Sequence, residues 1–391
     1  MNFARLIHPC TPEEFFQQHY EKAYFLNTRA EPGYFDEVLN EADLDLFFAQ
    51  QDLNPATIKL VKDGVSVPVD LWTKTIERSA GPLKTFICQE KVFKHYYEGA
   101  TIVINAAEKM IPGITKACSA IEREIRLLFQ SNIYITPPNA QGFSMHYDDH
   151  DIFSLQIKGT KRWKMYNSGE ELPTHKEPFR KNPELIAEIE LHSGDLLYMP
   201  RGLVHEAFST TTSTIHVNFS CKGVYGFDLL KTLSDVAEEE DIFFRKMIPH
   251  GFSSAEEIAG YKAIFTEKLL SLIDKYDVEA LLQKRHLSFL KREIVDFKGR
   301  FRDAMALENL SLNSIIAKRK TMDYHLEKTT AGIIVRFGEH QISVSKILDL
   351  SLIFKDEPFK VADIRGMITD HGKLILMREF IEAGFLQIIK N

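Results

Sequence analysis

The chain has 391 residues, 44% apolar, 26% charged and 11% aromatic, with 48 Lys and Arg against 55 Asp and Glu for a formal charge of −7. That length fits two or three domains with a sizeable core, and the mildly acidic balance argues against a protein that coats nucleic acid through bulk charge. No apolar run reaches the ~18 residues of a membrane span, the first residues lack a signal-peptide pattern, and Cys10, Cys88, Cys118 and Cys221 lie too far apart for a thiolate zinc site or a disulfide framework. The expectation is a cytoplasmic protein in a reducing compartment.

The first ~95 residues read as mixed and mostly helical. Thr11-Pro12-Glu13-Glu14 opens a helix, with Thr11 as cap, Pro12 at the first helical position and Glu14 completing a capping box. A second helix is expected over Asp43 to Ala49, and a third over Pro112 to Phe129, where Ile114, Cys118, Ile121 and Ile125 recur at helical spacing. The stretch from Tyr96 to Ala106 carries no clear period.

From Ser131 to Ser220 the texture turns to short alternating segments. Strands are expected at Asn132–Thr136, Ser144–Tyr147, Ile152–Lys158, Arg162–Tyr166, Glu188–Leu191, Leu196–Met199, His205–Ser209 and Thr214–Ser220, with tight turns at Gly159-Thr160 and Pro200-Arg201-Gly202. Such a run without intervening helices predicts a double-sheet jelly roll. Beyond Val224 the chain returns to helices. Ser254-x-x-Glu257 is a capping box, and Ile258, Tyr261, Ile264, Phe265, Leu269, Leu272 and Ile273 form an apolar stripe after it. Another helix is expected near Val278–Phe301. The last ~70 residues read as three helices and a short strand pair, a small winged-helix-like unit that includes Asp363 to Met367, Leu374 to Ala383 and Phe385 to Ile389.

The chemistry concentrates in the β-rich region. On a strand, His146 and Asp148 share a face, and His205 follows the Pro200-Arg201-Gly202 turn, which can return it to the same point. Two histidines and one carboxylate make the facial triad that holds a non-haem Fe(II) ion with open positions; alone, the His-x-Asp triplet leaves a structural histidine open. Lys161, Asn132 and Tyr134 add to the case. A buried ammonium needs an anion, and an amide and a phenol facing inward need partners; a bound dicarboxylate would serve all three. Lys161 is otherwise a solvated lysine in a basic turn, and Asn132 with Tyr134 an internal pair. His216, Asn218 and Ser220 form a polar row that either lines a pocket or faces solvent. Asp149-His150-Asp151 is either a substrate contact or a solvated strand edge.

The segments Ser131 to Asp148, Gln156-Ile-Lys-Gly-Thr-Lys161-Arg-Trp163 and Gly194-Asp-Leu-Leu-Tyr-Met-Pro-Arg-Gly-Leu-Val-His205 resemble the JmjC oxygenases, and within them the ribosomal oxygenase group. The resemblance covers residues 130–222 closely and the flanks loosely. It implies a mixed α+β fold with a double-stranded β-helix (jelly-roll or cupin) core, arranged as an oxygenase domain over 1–224, a helical dimerisation region over 225–315 and a winged-helix-like domain over 316–391. It further implies an Fe(II)- and 2-oxoglutarate-dependent dioxygenase. His146, Asp148 and His205 would be the metal ligands. Lys161, Tyr134 and Asn132 would hold the cosubstrate, with Asn218 and Ser220 lining its pocket; His216 and Asp149 are candidate substrate contacts. The implied substrate is a His or Arg side chain of a ribosomal protein, and the implied assembly a homodimer. Between Thr321 and Asn391 nine Lys or Arg face ten Asp or Glu, a net of −1, which disfavours a DNA-gripping winged helix. Other readings are a hydroxylase of tRNA, a peptide or a metabolite, a cupin-type enzyme such as an isomerase without a keto acid, and an inactive scaffold.

Overall fold

The structure is a computed structural model that describes all residues except 30, 51, 77–83, 168–170, 176–182, 249–253, 292–297 and 321. The chain divides into two units, Met1–Gly223 and Val224–Asn391.

In the first unit, helices α1 (Phe3–Ile7), α2 (Pro12–Gln18), α3 (Glu41–Phe48), α4 (Gln89–Tyr97) and α5 (Pro112–Ile125) accompany strands β1 (Phe25–Asn27), β2 (Ile58–Lys62), β3 (Val65–Ser66), β4 (Thr73–Ile76), β5 (Lys84–Ile87) and β6 (Thr101–Ile104). The β-rich region supplies β7 (Leu128–Thr136), β8 (Asp151–Lys158), β9 (Lys161–Tyr166), β10 (Leu185–Leu191), β11 (Leu196–Met199), β12 (Val204–Ser209) and β13 (Thr214–Lys222). They form an eight-stranded sheet in the order β1-β11-β8-β13-β7-β6-β2-β3 and a three-stranded sheet, β10-β9-β12. Strand β13 lies between β7 and β8, with His216 opposite Tyr134 and Asn218 opposite Asn132.

Alternation along β13 sorts its side chains into two environments. Val217 and Phe219 join Phe3, Phe15, Phe129, Phe153 and Tyr198 in the main core. Each such ring buries apolar surface worth roughly 2–3 kcal/mol. His216, Asn218 and Ser220 point to the opposite face, toward the second sheet. A second apolar cluster of Ile152, Trp163, Met165, Leu191, Leu197 and Met199 draws on both sheets.

Several expected elements match closely. The Thr11 capping box starts α2, and Leu196–Met199 is a strand with those bounds. Gly159 and Gly202 take φ of +72° and +85° at their turns, a region open to glycine at little cost; a Cβ at Gly159 would lie 2.1 Å from the Ser213 carbonyl oxygen. Others are corrected. The helix expected to reach Phe129 stops at Ile125, because Arg126 adopts φ +60° and the chain enters β7 at Leu128. The stretch without a clear period resolves into α4 and β6. Ser144–Tyr147 is not a strand: it makes one isolated bridge, His146 to His205, with mutual backbone hydrogen bonds of 3.0 and 2.7 Å.

The second unit begins with α6 (Gly226–Glu240), α7 (Ile242–Arg245), α8 (Ala255–Lys275), α9 (Val278–Leu290) and α10 (Arg300–Ala306). The Ser254–Glu257 capping box starts α8 as expected. The helix expected over Val278–Phe301 is described as α9 and α10, and residues 292–297 lie outside the described residues. Beyond residue 314 come strands β14 (Ile315–Lys318), β15 (His325–Lys328), β16 (Gly332–Phe337), β17 (His340–Ser345), β18 (Leu348–Asp349), β19 (Phe359–Lys360) and β20 (Arg365–Gly366), then helix α11 (Asp370–Glu382) and strand β21 (Leu386–Lys390). The three helices expected here are therefore corrected. Among the described residues of 316–391, α11 is the one α-helix, and Asp363 to Met367 contributes a 3-10 turn and a short strand. The β-branched run Ile333-Ile334-Val335 and the turn at Gly338 favour the β16–β17 hairpin instead.

Candidate active site

A cavity of about 270 Å³ lies between the two sheets of the first unit. Its lining includes His146, Asp148, His205, Lys161, Asn132, Tyr134, His216, Asn218 and Ser220. Sequence reasoning named all nine.

At the mouth, ligand atoms of His146, Asp148 and His205 lie within 4.8 Å of one another. Both histidine Nε2 atoms stand 3.8 Å from Asp148 Oδ2. His205 arrives on β12, while His146 and Asp148 sit on the loop before β8. That loop is held by the His146–His205 bridge and by Gly202 N, which donates to the Asp148 carbonyl at 2.9 Å. His146 Nδ1 faces the Ser144 carbonyl at 2.8 Å and His205 Nδ1 the Leu203 carbonyl at 2.9 Å. A carbonyl only accepts, so each Nδ1 carries a proton, and in the neutral imidazole this leaves the Nε2 lone pair for the cluster. This is the outer support that metal-bound histidines require.

At the floor, Lys161 is 5% exposed. Its Nζ donates to His216 Nδ1 at 3.2 Å and to Thr136 Oγ1 at 3.5 Å. Among the described residues no carboxylate forms an ion pair with it, and burial lowers its pKa to about 7. Tyr134 bonds to Asn132 and Asn218, and burial, with a contribution from the Asp148 charge, raises its phenol to about 12. Asn132 Oδ1 also accepts from Ala106 N at 3.1 Å. Within this pocket Asn218 Oδ1 and Trp163 Nε1 are buried without hydrogen-bond partners. A lone cation and the unpartnered Trp163 N–H beside an open cavity are groups that a bound anion would satisfy, whereas Asn218 Oδ1, an acceptor, calls for a donor.

The structure resolves two open questions. His216 is 2% exposed and lines the cavity rather than facing solvent. The Asp149–Asp151 segment is not a uniform solvated edge: Asp149 is partly exposed and pairs with His150 Nδ1 at 2.9 Å, whereas Asp151 is buried and accepts from Tyr198 Oη at 2.8 Å and Arg201 N at 2.9 Å. Asp151 thus ties the start of β8 to the turn before His205. Among the lining residues not named as site residues are Trp163 and Lys59, and Thr136, which accepts from Lys161, also went unnamed. Thr136 continues the Asn132–Tyr134 face, and Trp163 stands two residues from Lys161, so strand alternation held the signal for both; Lys59, on distant β2, left none.

Residues 108–227 match the family model for the JmjC domain, over the strands and loops that build this site. Among its relatives are "Ribosomal oxygenase 1" of Gallus gallus, 28% identical over 74% of this chain and 50% of that protein, and the "Bifunctional lysine-specific demethylase and histidyl-hydroxylase NO66" of Drosophila persimilis, 30% identical over 61% of this chain and 34% of that protein. The chain spans half or less of the length of these two relatives. The Escherichia coli ribosomal oxygenase YcfD, solved in complex with cobalt and 2-oxoglutarate, aligns at a TM-score of 0.57 with 14% identity over 96% of this chain and 98% of that one. Another structure of E. coli ycfD gives 0.60. The two chains share the same mixed α/β, cupin-like fold. Among the described residues no helix is long and apolar enough to cross a membrane.

Proposed function

We propose that this chain is an Fe(II)- and 2-oxoglutarate-dependent dioxygenase that hydroxylates a protein side chain, a His or Arg of a ribosomal protein. One observation carries the reading: a His-Asp-His cluster and an unpaired buried lysine face the same cavity. The names of the relatives, ribosomal oxygenase and histidyl-hydroxylase, support the substrate class and favour histidine.

In this reading His146 Nε2, His205 Nε2 and an Asp148 oxygen hold the metal. When bound, the metal and keto acid would supply a means of activating dioxygen, the oxidant, one oxygen atom going to succinate as the keto acid loses carbon dioxide and the other to the substrate C–H bond. Lys161 receives the distal carboxylate, Tyr134 and Asn132 give it hydrogen-bonding neighbours, and Asn218 and Ser220 line its path. Asp149, with His150, meets the substrate at the mouth. No side chain acts as nucleophile, so the residues contribute position, charge and exclusion of water.

We further infer domains over 1–224, 225–315 and 316–391. Ile258, Ile264, Phe265 and Ile273 on α8 are exposed in the single chain, an apolar stripe that supports a homodimer through residues 225–315. Residues 316–391, near neutral in charge and built of short strands around one described α-helix rather than the three helices expected of a winged-helix-like unit, serve as an interaction module rather than a nucleic-acid grip. Four free thiols are compatible with a cytoplasmic setting.

The test is mass spectrometry of ribosomal proteins from cells with and without the gene. A gain of one oxygen atom on a His or Arg, present only with the gene, is expected. Identical ribosomal proteins in the two strains would overturn the substrate assignment.

A further inference from the structure

The floor of the cavity holds a cation among neutral partners. Lys161 leaves β9 opposite Ser209, and Thr136, Trp163 and His216 surround its ammonium. In its charged form Lys161 donates three protons and accepts none, so His216 Nδ1 is then the acceptor and the proton of the neutral ring sits on Nε2. The ring is fixed in that orientation. It stacks on Tyr134 with centroids 4.6 Å apart and planes 8° from parallel, and it meets Trp163 edge-on at 5.6 Å. Burial, followed by the nearby Lys161 charge, holds the imidazole pKa well below its ordinary value, so the ring stays neutral.

An aspartate in this position would make the same hydrogen bond but cancel the lysine charge, and it would repel an arriving carboxylate. A hydrocarbon would leave the charge but lose the aim. We propose that His216 is a positioning residue for the cosubstrate, a neutral acceptor that orients the Lys161 ammonium into the cavity while leaving its charge free for an incoming carboxylate. The inference rests on the cavity being the 2-oxoglutarate site. It gives His216 work at the floor, away from the protein substrate at the mouth.

The experiment is isothermal titration of 2-oxoglutarate into the full chain loaded with Mn(II) in the absence of oxygen, for wild type, His216→Asn, His216→Asp and His216→Phe. Asn offers a neutral acceptor near the Nδ1 position, and its affinity should stay within about threefold of wild type, whereas Asp and Phe should each weaken binding by about tenfold or more, as expected for losing a charge-assisted hydrogen bond or its free charge. Mn(II) affinity should be equal in all four proteins. Asp binding as tightly as Asn, or Phe as tightly as wild type, overturns the proposal. If the Asp variant does not fold, the Asn and Phe pair decides. Failure of the Mn(II)-loaded wild type to bind 2-oxoglutarate overturns the reading of the cavity itself, an outcome distinct from equal affinities across the variants.

Discussion

Strand β13 and helix α8 each present a regular row of side chains, and the two rows have opposite fates. The polar row of β13, His216, Asn218 and Ser220, is buried against a cavity. On the apolar row of α8, Leu272 is buried, while Ile258, Ile264, Phe265 and Ile273 are exposed in the single chain. Periodicity states which side chains share a face; it does not state what covers that face. On β13 the cover is the second sheet, and polar atoms persist because something polar must occupy the space. On α8, in our reading, the cover is a second copy.

The strongest way to break the β13 half of this comparison is to remove the cation at its floor. Lys161→Ala should weaken 2-oxoglutarate binding by roughly a hundredfold or more, the scale of losing one partner of a buried charged contact. The check is the KM for 2-oxoglutarate in succinate formation. An unchanged KM would remove Lys161 from the cosubstrate site, and absence of any succinate formation by the wild type would favour the isomerase reading, in which no keto acid binds.

The α8 half is tested by Phe265→Asp. A charge inside an apolar interface is left unpaired, and dimer dissociation should become at least about tenfold easier. Sedimentation at several concentrations measures it. A wild-type protein that is monomeric throughout would remove the second copy from the account.

A subtler effect follows from the Lys161 pKa of about 7. Near neutral pH the empty protein holds this amine partly deprotonated, and a bound carboxylate raises its pKa again. Binding above pH 7 therefore takes up a proton, and affinity falls as pH rises, by up to about tenfold per unit. His216 stays neutral over this range, and Tyr134, near 12, stays protonated. Titration at pH 8 in buffers of different ionisation enthalpy should reveal uptake approaching one proton; pH-independent affinity without uptake contradicts the assignment. The folding linkage has its own sign. The folded pKa is depressed below the unfolded ~10.4, so the unfolded chain binds more protons and stability of the empty protein rises between pH 7 and about 10. Lys161→Met should flatten that slope.

The smallest expected effect concerns the buried tie behind the metal cluster. Tyr198→Phe removes the donor to Asp151 and the acceptor of Glu21 N, and should cost about 1–3 kcal/mol of stability in denaturant unfolding. A neutral result would mean that Asp151 finds another partner.

Much of the site was legible because strand alternation and turn chemistry are local. Lys161, Tyr134 and the β13 row fall on predictable faces, and the glycine turn before His205 announces itself. The metal cluster was legible for a partly wrong reason. His146 and Asp148 converge from a loop pinned by one bridge, not from a strand. Asp151 looked like one of three surface charges, and only the distant Tyr198 and Arg201 explain its burial. The fold was least legible after residue 314, where short strands such as β18 and β20 have two residues each and too little pattern to register.

The central claim is that metal and keto acid meet in one cavity. Its most direct measurement is the metal dependence of 2-oxoglutarate binding, read by calorimetry for wild type and His146→Ala. The account predicts tight binding to metal-loaded wild type, with weak binding both to the metal-free protein and to His146→Ala at the same metal concentration. Equal affinity with and without metal, or a His146→Ala protein that binds as wild type does, would contradict it.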